Sequence, residues 1–233
     1  MSGDEGPERA LLFDHAGAPR AFTARRLLIA GYTGRDPAAV EAHLVELERE
    51  GVPRPERTPW VFVANPQLLQ TGGAVWAYDD RSSGEAEYAL LIDRDGVFMA
   101  IGSDHTDRGL ERASIERSKQ LYPRTLGAQV WSLDELLPRW DSLRLRSWTV
   151  DGEERAPYQD GTFAQLIRPE ALLDLAGADG EPGTVVFSGT LPVLDGRVRS
   201  ARRFEAELTD ADGRTLASLG YDVRLLPPHS QPG

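Results

Sequence analysis

Apolar positions along this chain fall in short runs set apart by glycine, proline and charged clusters, the pattern of a strand-rich fold with few helices. Residues 10–13 and 21–30 read as strands with the turn-like Ala16-Gly17-Ala18-Pro19 between them, and 60–63, 74–78, 143–150, 185–187 and 215–223 read as further strands. Residues 204–208 alternate, with Glu205 and Glu207 on one face. Two runs carry no polar interruption: 88–92 and 97–101, on either side of Asp93-Arg94-Asp95-Gly96. An Asp-Gly step between apolar runs predicts a hairpin. A first helix starts at Asp36-Pro37, an N-cap followed by proline at the first helical position. Val40, Leu44 and Leu47 give it a buried stripe and Gly51 closes it. Short helices are expected over 110–121, 133–140 and from Pro169 to Leu175, and disorder over 1–9 and from Pro227 onward. The chain reads as one domain, α+β and β-rich. Residues 1–59 supply N-terminal strands and a helix, 60–226 the core, and 227–233 a tail.

The hairpin also concentrates acidic side chains. Glu85 and Glu87 stand two apart at the head of its first strand and so share a face. Its second strand ends in Gly102-Ser103-Asp104-His105, which the turn returns beside the two glutamates. Three converging carboxylates repel one another unless a cation intervenes. Oxygen ligands suit a hard divalent ion, Mg²⁺ first, with Mn²⁺ or Ca²⁺ as alternatives. The bland alternative is an exposed strand that happens to carry two glutamates.

Composition narrows the field. The chain has 233 residues and a net charge of −11, which disfavours a nucleic-acid partner or an anionic membrane. It has no cysteine, which excludes disulfides and thiolate metal sites. The start is polar and acidic, with no leader-like segment, and no apolar run reaches the length of a membrane span, so a cytoplasmic protein is expected. Basic residues are arginine throughout, except for the single lysine, Lys119. An ammonium group differs from a guanidinium in compactness and in how readily its pKa shifts, so an isolated lysine among arginines is a candidate functional residue.

These residues resemble the motifs of the fumarylacetoacetate hydrolase family. Glu85-Ala86-Glu87 followed by Tyr88–Ile92 is similar to its metal-binding E-x-E strand, and Ser103-Asp104 through Arg108-Gly109 to the segment that supplies its third metal carboxylate. Lys119 looks like the family's active-site lysine. Residues 143–148 and the Gly183–Thr190 phrase look like two of its later strands. The resemblance runs over about residues 60–223, and the chain looks like an uncharacterised prokaryotic branch of the superfamily. Departures are Asn65-Pro66 where relatives have a lysine-proline-serine type segment, Glu111 where they have glutamine, and Leu191 where they have proline.

The resemblance implies a mixed β-roll with a few peripheral helices, a homodimer, and a divalent ion held by Glu85, Glu87 and Asp104. It implies catalytic roles for Lys119 and Arg108, with His105 as a candidate, and substrate contacts at Gly189, Thr190, Asn65 and Gln70. The implied substrate is a small oxo-acid or 1,3-dicarbonyl. C–C bond hydrolysis is the first expectation; decarboxylation, isomerisation, dehydration or cyclisation are alternatives. The histidine–glutamate pair typical of the hydrolytic members is not evident, and His105 follows Asp104 so directly that an extended segment would point it away. A non-catalytic metabolite-binding protein is the remaining alternative.

Overall fold

A computed structural model describes residues 6–49, 51, 54–177 and 181–227. Most of the described strands belong to two mixed sheets that curl around a shared interior. In the larger, of ten strands, the path runs Ala18–Ala24, Arg9–His15, Gln129–Ser132, Gly96–Asp104, Ala86–Asp93, Thr184–Phe187, Arg26–Gly31, Trp60–Ala64. Arg124–Leu126 pairs with the far half of Gly96–Asp104, and Leu69–Thr71 pairs with Arg124–Leu126. The second sheet has five strands in the order Glu154–Thr162, Arg144–Asp151, Arg203–Thr209, Thr215–Leu225, Ala74–Ala77. This is the expected α+β class, a rolled mixed β structure with short helices at its periphery.

The uninterrupted apolar run of the hairpin has a direct explanation: its strand is covered on both faces. Tyr88, Leu90 and Ile92 enter one core with Met99, Ile101, Trp140, Phe163, Phe204 and Tyr221. Ala89 and Leu91 enter a second core with Leu27, Ile29, Phe98 and Phe187. The hairpin is therefore the central partition of the molecule, and side chains at its ends are held by packing on two sides.

Several boundaries differ from the expectations. Residues 21–30 form two strands, not one: the chain leaves Ala18–Ala24 at the sheet's edge and re-enters as Arg26–Gly31 beside Thr184–Phe187. The expected helix over 110–121 is two pieces, Arg108–Ala113 and Ile115–Ser118. Ser114 breaks it, because its extended backbone lets its hydroxyl accept from Arg117 N and cap the second piece. Arg9 begins a strand, whereas residues 1–5 and 228–233 of the expected disordered ends lie outside the described residues. The helix Pro37–Arg49 forms with Asp36 Oδ1 accepting from Ala38 N, and Leu44 is buried in its stripe. The side chain of Leu47 lies outside the described residues. No helix among the described residues is long and apolar enough to cross a membrane.

Candidate metal centre

The hairpin register sets the site. Ala86 stands opposite Ser103 and Glu87 opposite Gly102, and Asp104 N donates to Glu85 O at 3.1 Å. Carboxylate oxygens of Glu85, Glu87 and Asp104 consequently lie within 4.8 Å of one another. Glu87 and Asp104 are only 2% and 1% exposed, and Glu85 is half-buried.

Cations bracket this trio unevenly. Lys119 Nζ bonds Asp104 Oδ2, and Arg124 Nε lies 2.5 Å from Asp104 Oδ1. Arg108 donates to Glu85 Oε1 at 2.9 Å, to Glu111 Oε2 at 2.9 Å and to Ser83 Oγ. Glu87 Oε2 accepts only the Gly189 amide, at 2.8 Å, and no ion pair to Glu87 occurs among the described residues. The electrostatics follow from this placement. Burial, reinforced by the Asp104 and Glu85 charges, pushes the Glu87 carboxyl well above its ordinary range. Burial also acts to raise Asp104, but the Arg124 and Lys119 charges outweigh it and hold that carboxyl down at about 2. Lys119 is raised, since Asp104, Glu85 and Glu111 outweigh the burial that would lower it.

Three carboxylate donors, one of them buried without a counter-ion, suit a hard divalent cation. A cation would relieve the penalty on ionised Glu87. The residues present fit the ion: Glu85, Glu87 and Asp104 would hold it.

Other candidate residues divide into those at the centre and those beside it. Gly189 is at the centre through its amide; its φ of 89° turns the chain so that the amide faces Glu87. Thr190 Oγ1 donates to Ala86 O at 2.9 Å, which ties the same loop to the Glu-x-Glu strand. His105 is buried with both ring nitrogens engaged: Nδ1 is 2.9 Å from the Tyr221 hydroxyl and Nε2 is 3.0 Å from Ser82 Oγ. Burial, with Arg108 and Arg124 nearby, lowers its pKa to about 3, so the ring is neutral. Asn65 is further out, its side chain capping the turn Pro66–Leu68 by accepting from Gln67 N, while its backbone N–H donates to Gln120 Oε1, on the residue after Lys119. Gln70 donates to Thr125 Oγ1 at 3.0 Å, on the strand next to Ser103.

Two residues of the network carried no expectation from the sequence. Arg124, 0% exposed, stands opposite Asp104 in the ladder and donates to the carbonyls of His105, Tyr122 and Lys119, thereby fixing the lysine's main chain. Gln159 accepts from Ala86 N and donates to Thr190 Oγ1 and Leu191 O, joining strand to loop. A lone arginine among many gives no signal, and a glutamine inside a strand gives only a weak one.

The fold is shared with solved structures. A yeast fumarylacetoacetate hydrolase family protein is 17% identical, over 89% of this chain and 96% of that one, with a TM-score of 0.61. The 5-carboxymethyl-2-hydroxymuconate delta-isomerase from Mycobacterium smegmatis is 18% identical, over 91% and 84%, with a TM-score of 0.61. A 2-keto-3-deoxy-D-arabinonate dehydratase, complexed with magnesium and 2,5-dioxopentanoate, is 19% identical, over 86% and 73%, with a TM-score of 0.57. The chain thus has the fumarylacetoacetate-hydrolase-like fold. No curated protein matches it significantly. Within that fold class, it belongs to the family described as "Protein of unknown function (DUF2848)", which matches residues 30–221.

Proposed function

We propose that this protein is a divalent-metal-dependent enzyme that acts on a small oxo-acid or 1,3-dicarbonyl. The observation that carries the reading is the buried convergence of Glu85, Glu87 and Asp104 with Lys119 seated on the third carboxylate. When bound, Mg²⁺ or a similar ion would supply Lewis-acid polarisation of the substrate's oxygens. The chain's own residues do the rest. Lys119 and Arg108 place fixed positive charge beside the trio, where negative charge on a substrate oxygen is stabilised at low dielectric. The Gly189 and Thr190 loop, whose amide and hydroxyl are bonded to Glu87 and Ala86, forms the wall that would meet the substrate's carboxylate end. Asn65 and Gln70 complete the lining on the outer side.

C–C bond hydrolysis is the reaction class suggested by the family resemblance. A second reading, decarboxylation, isomerisation or dehydration, is favoured by one observation: both nitrogens of His105 are already bonded, so it is not free to activate a water. We assign His105 a positioning role, fastening the Asp104 segment to Ser82 and Tyr221. A homodimeric, cytoplasmic state belongs to this proposal and rests on the resemblance and composition.

Thermal unfolding with and without Mg²⁺ or Mn²⁺ tests the metal assignment. The expected result is a rise in Tm for the wild-type protein and none for Glu87→Ala; equal shifts in both proteins overturn it. Turnover of acylpyruvates and oxaloacetate by the metal-loaded protein then separates the reaction classes. Full activity of Lys119→Ala on a substrate so found would remove the lysine from the mechanism.

A further inference from the structure

Among the described residues, Arg124 is the one arginine that is fully buried. Burying a guanidinium is costly unless its donors are matched. Here every partner lies on residues 104–105 or 119–122, the two segments that carry the third carboxylate and the lysine.

The backbone brings these segments to the arginine. Lys119 caps the helix Ile115–Ser118, its N–H bonded back to Ile115 O and Arg117 O. The chain then turns and re-enters the sheet as Arg124–Leu126, antiparallel to Gly96–Asp104, with Arg124 opposite Asp104. Residues directly opposite in a ladder put their side chains on one face. Arg124 Nε accordingly lies 2.5 Å from Asp104 Oδ1. The far end of the guanidinium reaches back over the turn. Its Nη2 donates to Lys119 O at 3.0 Å, and its Nη1 donates to Tyr122 O at 2.5 Å and to His105 O at 3.1 Å.

A closed circuit results. Asp104 gives one oxygen to Arg124 and the other to Lys119 Nζ, while Arg124 holds the main chain of that same lysine. The planar fork of a guanidinium fixes the spacing between the groups it binds. An ammonium in its place would keep the charge but, as a point donor, would not fix that spacing.

We propose that Arg124 is the positioning residue of this centre: it sets the twist of the Asp104 carboxylate and its spacing from the main chain of Lys119, so that the third ligand and the ammonium stay in one register. It acts through those two residues and is itself neither ligand nor catalytic residue. This role rests on the metal reading above.

The test uses the whole chain, wild type and Arg124→Lys, which keeps the charge and deletes the fork. One readout is the Kd for Mn²⁺ by titration. The other is the rate at which Lys119 reacts with an amine-acylating reagent without added metal, located by peptide mass mapping. Lys119 is the only lysine of the wild type, so the signal reports one side chain. Arg155→Lys, on the outer sheet, controls for adding a lysine. In folded Arg124→Lys the Mn²⁺ affinity should fall about five- to tenfold, and acylation of Lys119 should quicken about tenfold; Arg155→Lys should leave both within about twofold of wild type. A lower Tm with either value unchanged in the folded variant marks a merely structural arginine and overturns the assignment. Arg124→Gln replaces Arg124→Lys if the latter does not fold, and failure of both to fold overturns the assignment as well. If the wild type does not bind Mn²⁺, the metal reading itself is removed, and the Lys119 rate alone decides whether Arg124 holds the lysine in place.

Discussion

The chain contains one Glu-x-Glu pair at the head of a strand and another in the middle of one, and they have opposite fates. Glu85 and Glu87 open the central hairpin, where Asp104 returns beside them and both sheet faces are covered. Glu205 and Glu207 lie on the outer face of the five-stranded sheet, their side chains 27% and 29% exposed. Each of the outer pair meets arginine: Glu205 binds Arg155 and Arg203, the latter shared with Asp222, and Glu207 binds Arg146. Burial acts to raise Glu205, but those two arginines outweigh it and leave its pKa lowered, whereas Glu87 is driven the other way. The motif alone therefore says little. A third carboxylate, the exclusion of water and the lack of a private counter-ion turn a pair of glutamates into a candidate ion site.

The largest contrast should come from removing a carboxylate on each side. Asp104→Ala leaves the Lys119 and Arg124 charges in the interior without the carboxylate that neutralises them, although Arg124 keeps its bonds to main-chain carbonyls, and should cost about 3–5 kcal/mol. Glu205→Ala removes part of an exposed network and should cost less than about 1 kcal/mol. Urea melts of the two variants measure both. Similar losses would show that the inner network is no more desolvated than the outer one.

Glycines beside each pair give a second, smaller contrast. A Cβ on Gly84 would stand 2.6 Å from Phe204 and from the Tyr221 hydroxyl, both packed in the main core. Gly84→Ala should cost about 1–3 kcal/mol through overpacking. It should also disturb the Tyr221–Ser103 contact that leads to the Glu85 amide. Gly220 stands opposite Glu205, and its nearest obstacle is the flexible end of Arg203. That guanidinium can swing aside, so Gly220→Ala should stay within about 0.5 kcal/mol of wild type. Chemical denaturation resolves the difference.

Glu87→Gln tests the charge directly. The amide retains an acceptor for Gly189 N but removes the buried carboxylate whose pKa is pushed up. Metal-free Tm should hold or rise, while the Mn²⁺-dependent rise in Tm disappears. A metal-free loss above about 1 kcal/mol would mean that Glu87 is stabilised in a way its single recorded hydrogen bond does not account for.

How much of this could be read from the sequence depends on the range of the forces involved. The hairpin was legible because its signals are local: two apolar runs, an Asp-Gly turn and a two-residue period that fixes which faces carry Glu85, Glu87 and Asp104. Lys119 was legible because it is the single lysine among arginines and because its segment resembles that of the family's active-site lysine. Arg124 was not, since its burial comes from an antiparallel pairing with Asp104 that no local pattern encodes. The strand break at Arg25 has no local signal for a related reason: 21–30 is one apolar-rich stretch, and only the placement of its halves in different parts of the sheet divides it. Ser114 falls in the middle of the expected helix over 110–121, although a serine that can cap is also one that can interrupt.

The smallest effect is the sharpest discriminator between the two regions, because salt acts on only one of them. Arg146 donates to Glu207 at 2.9 Å with both side chains about a third exposed. A double-mutant cycle with Arg146→Ala and Glu207→Ala should give a coupling of less than about 1 kcal/mol, falling toward zero in about 1 M NaCl as the screening length drops to about 3 Å. The same cycle on Lys119 and Asp104 should give a larger coupling that salt barely changes, since water and ions do not reach that pair. If the inner coupling also collapsed with salt, solvent would have access to the trio, and its carboxylates would be no more a metal centre than the pair on the outer sheet.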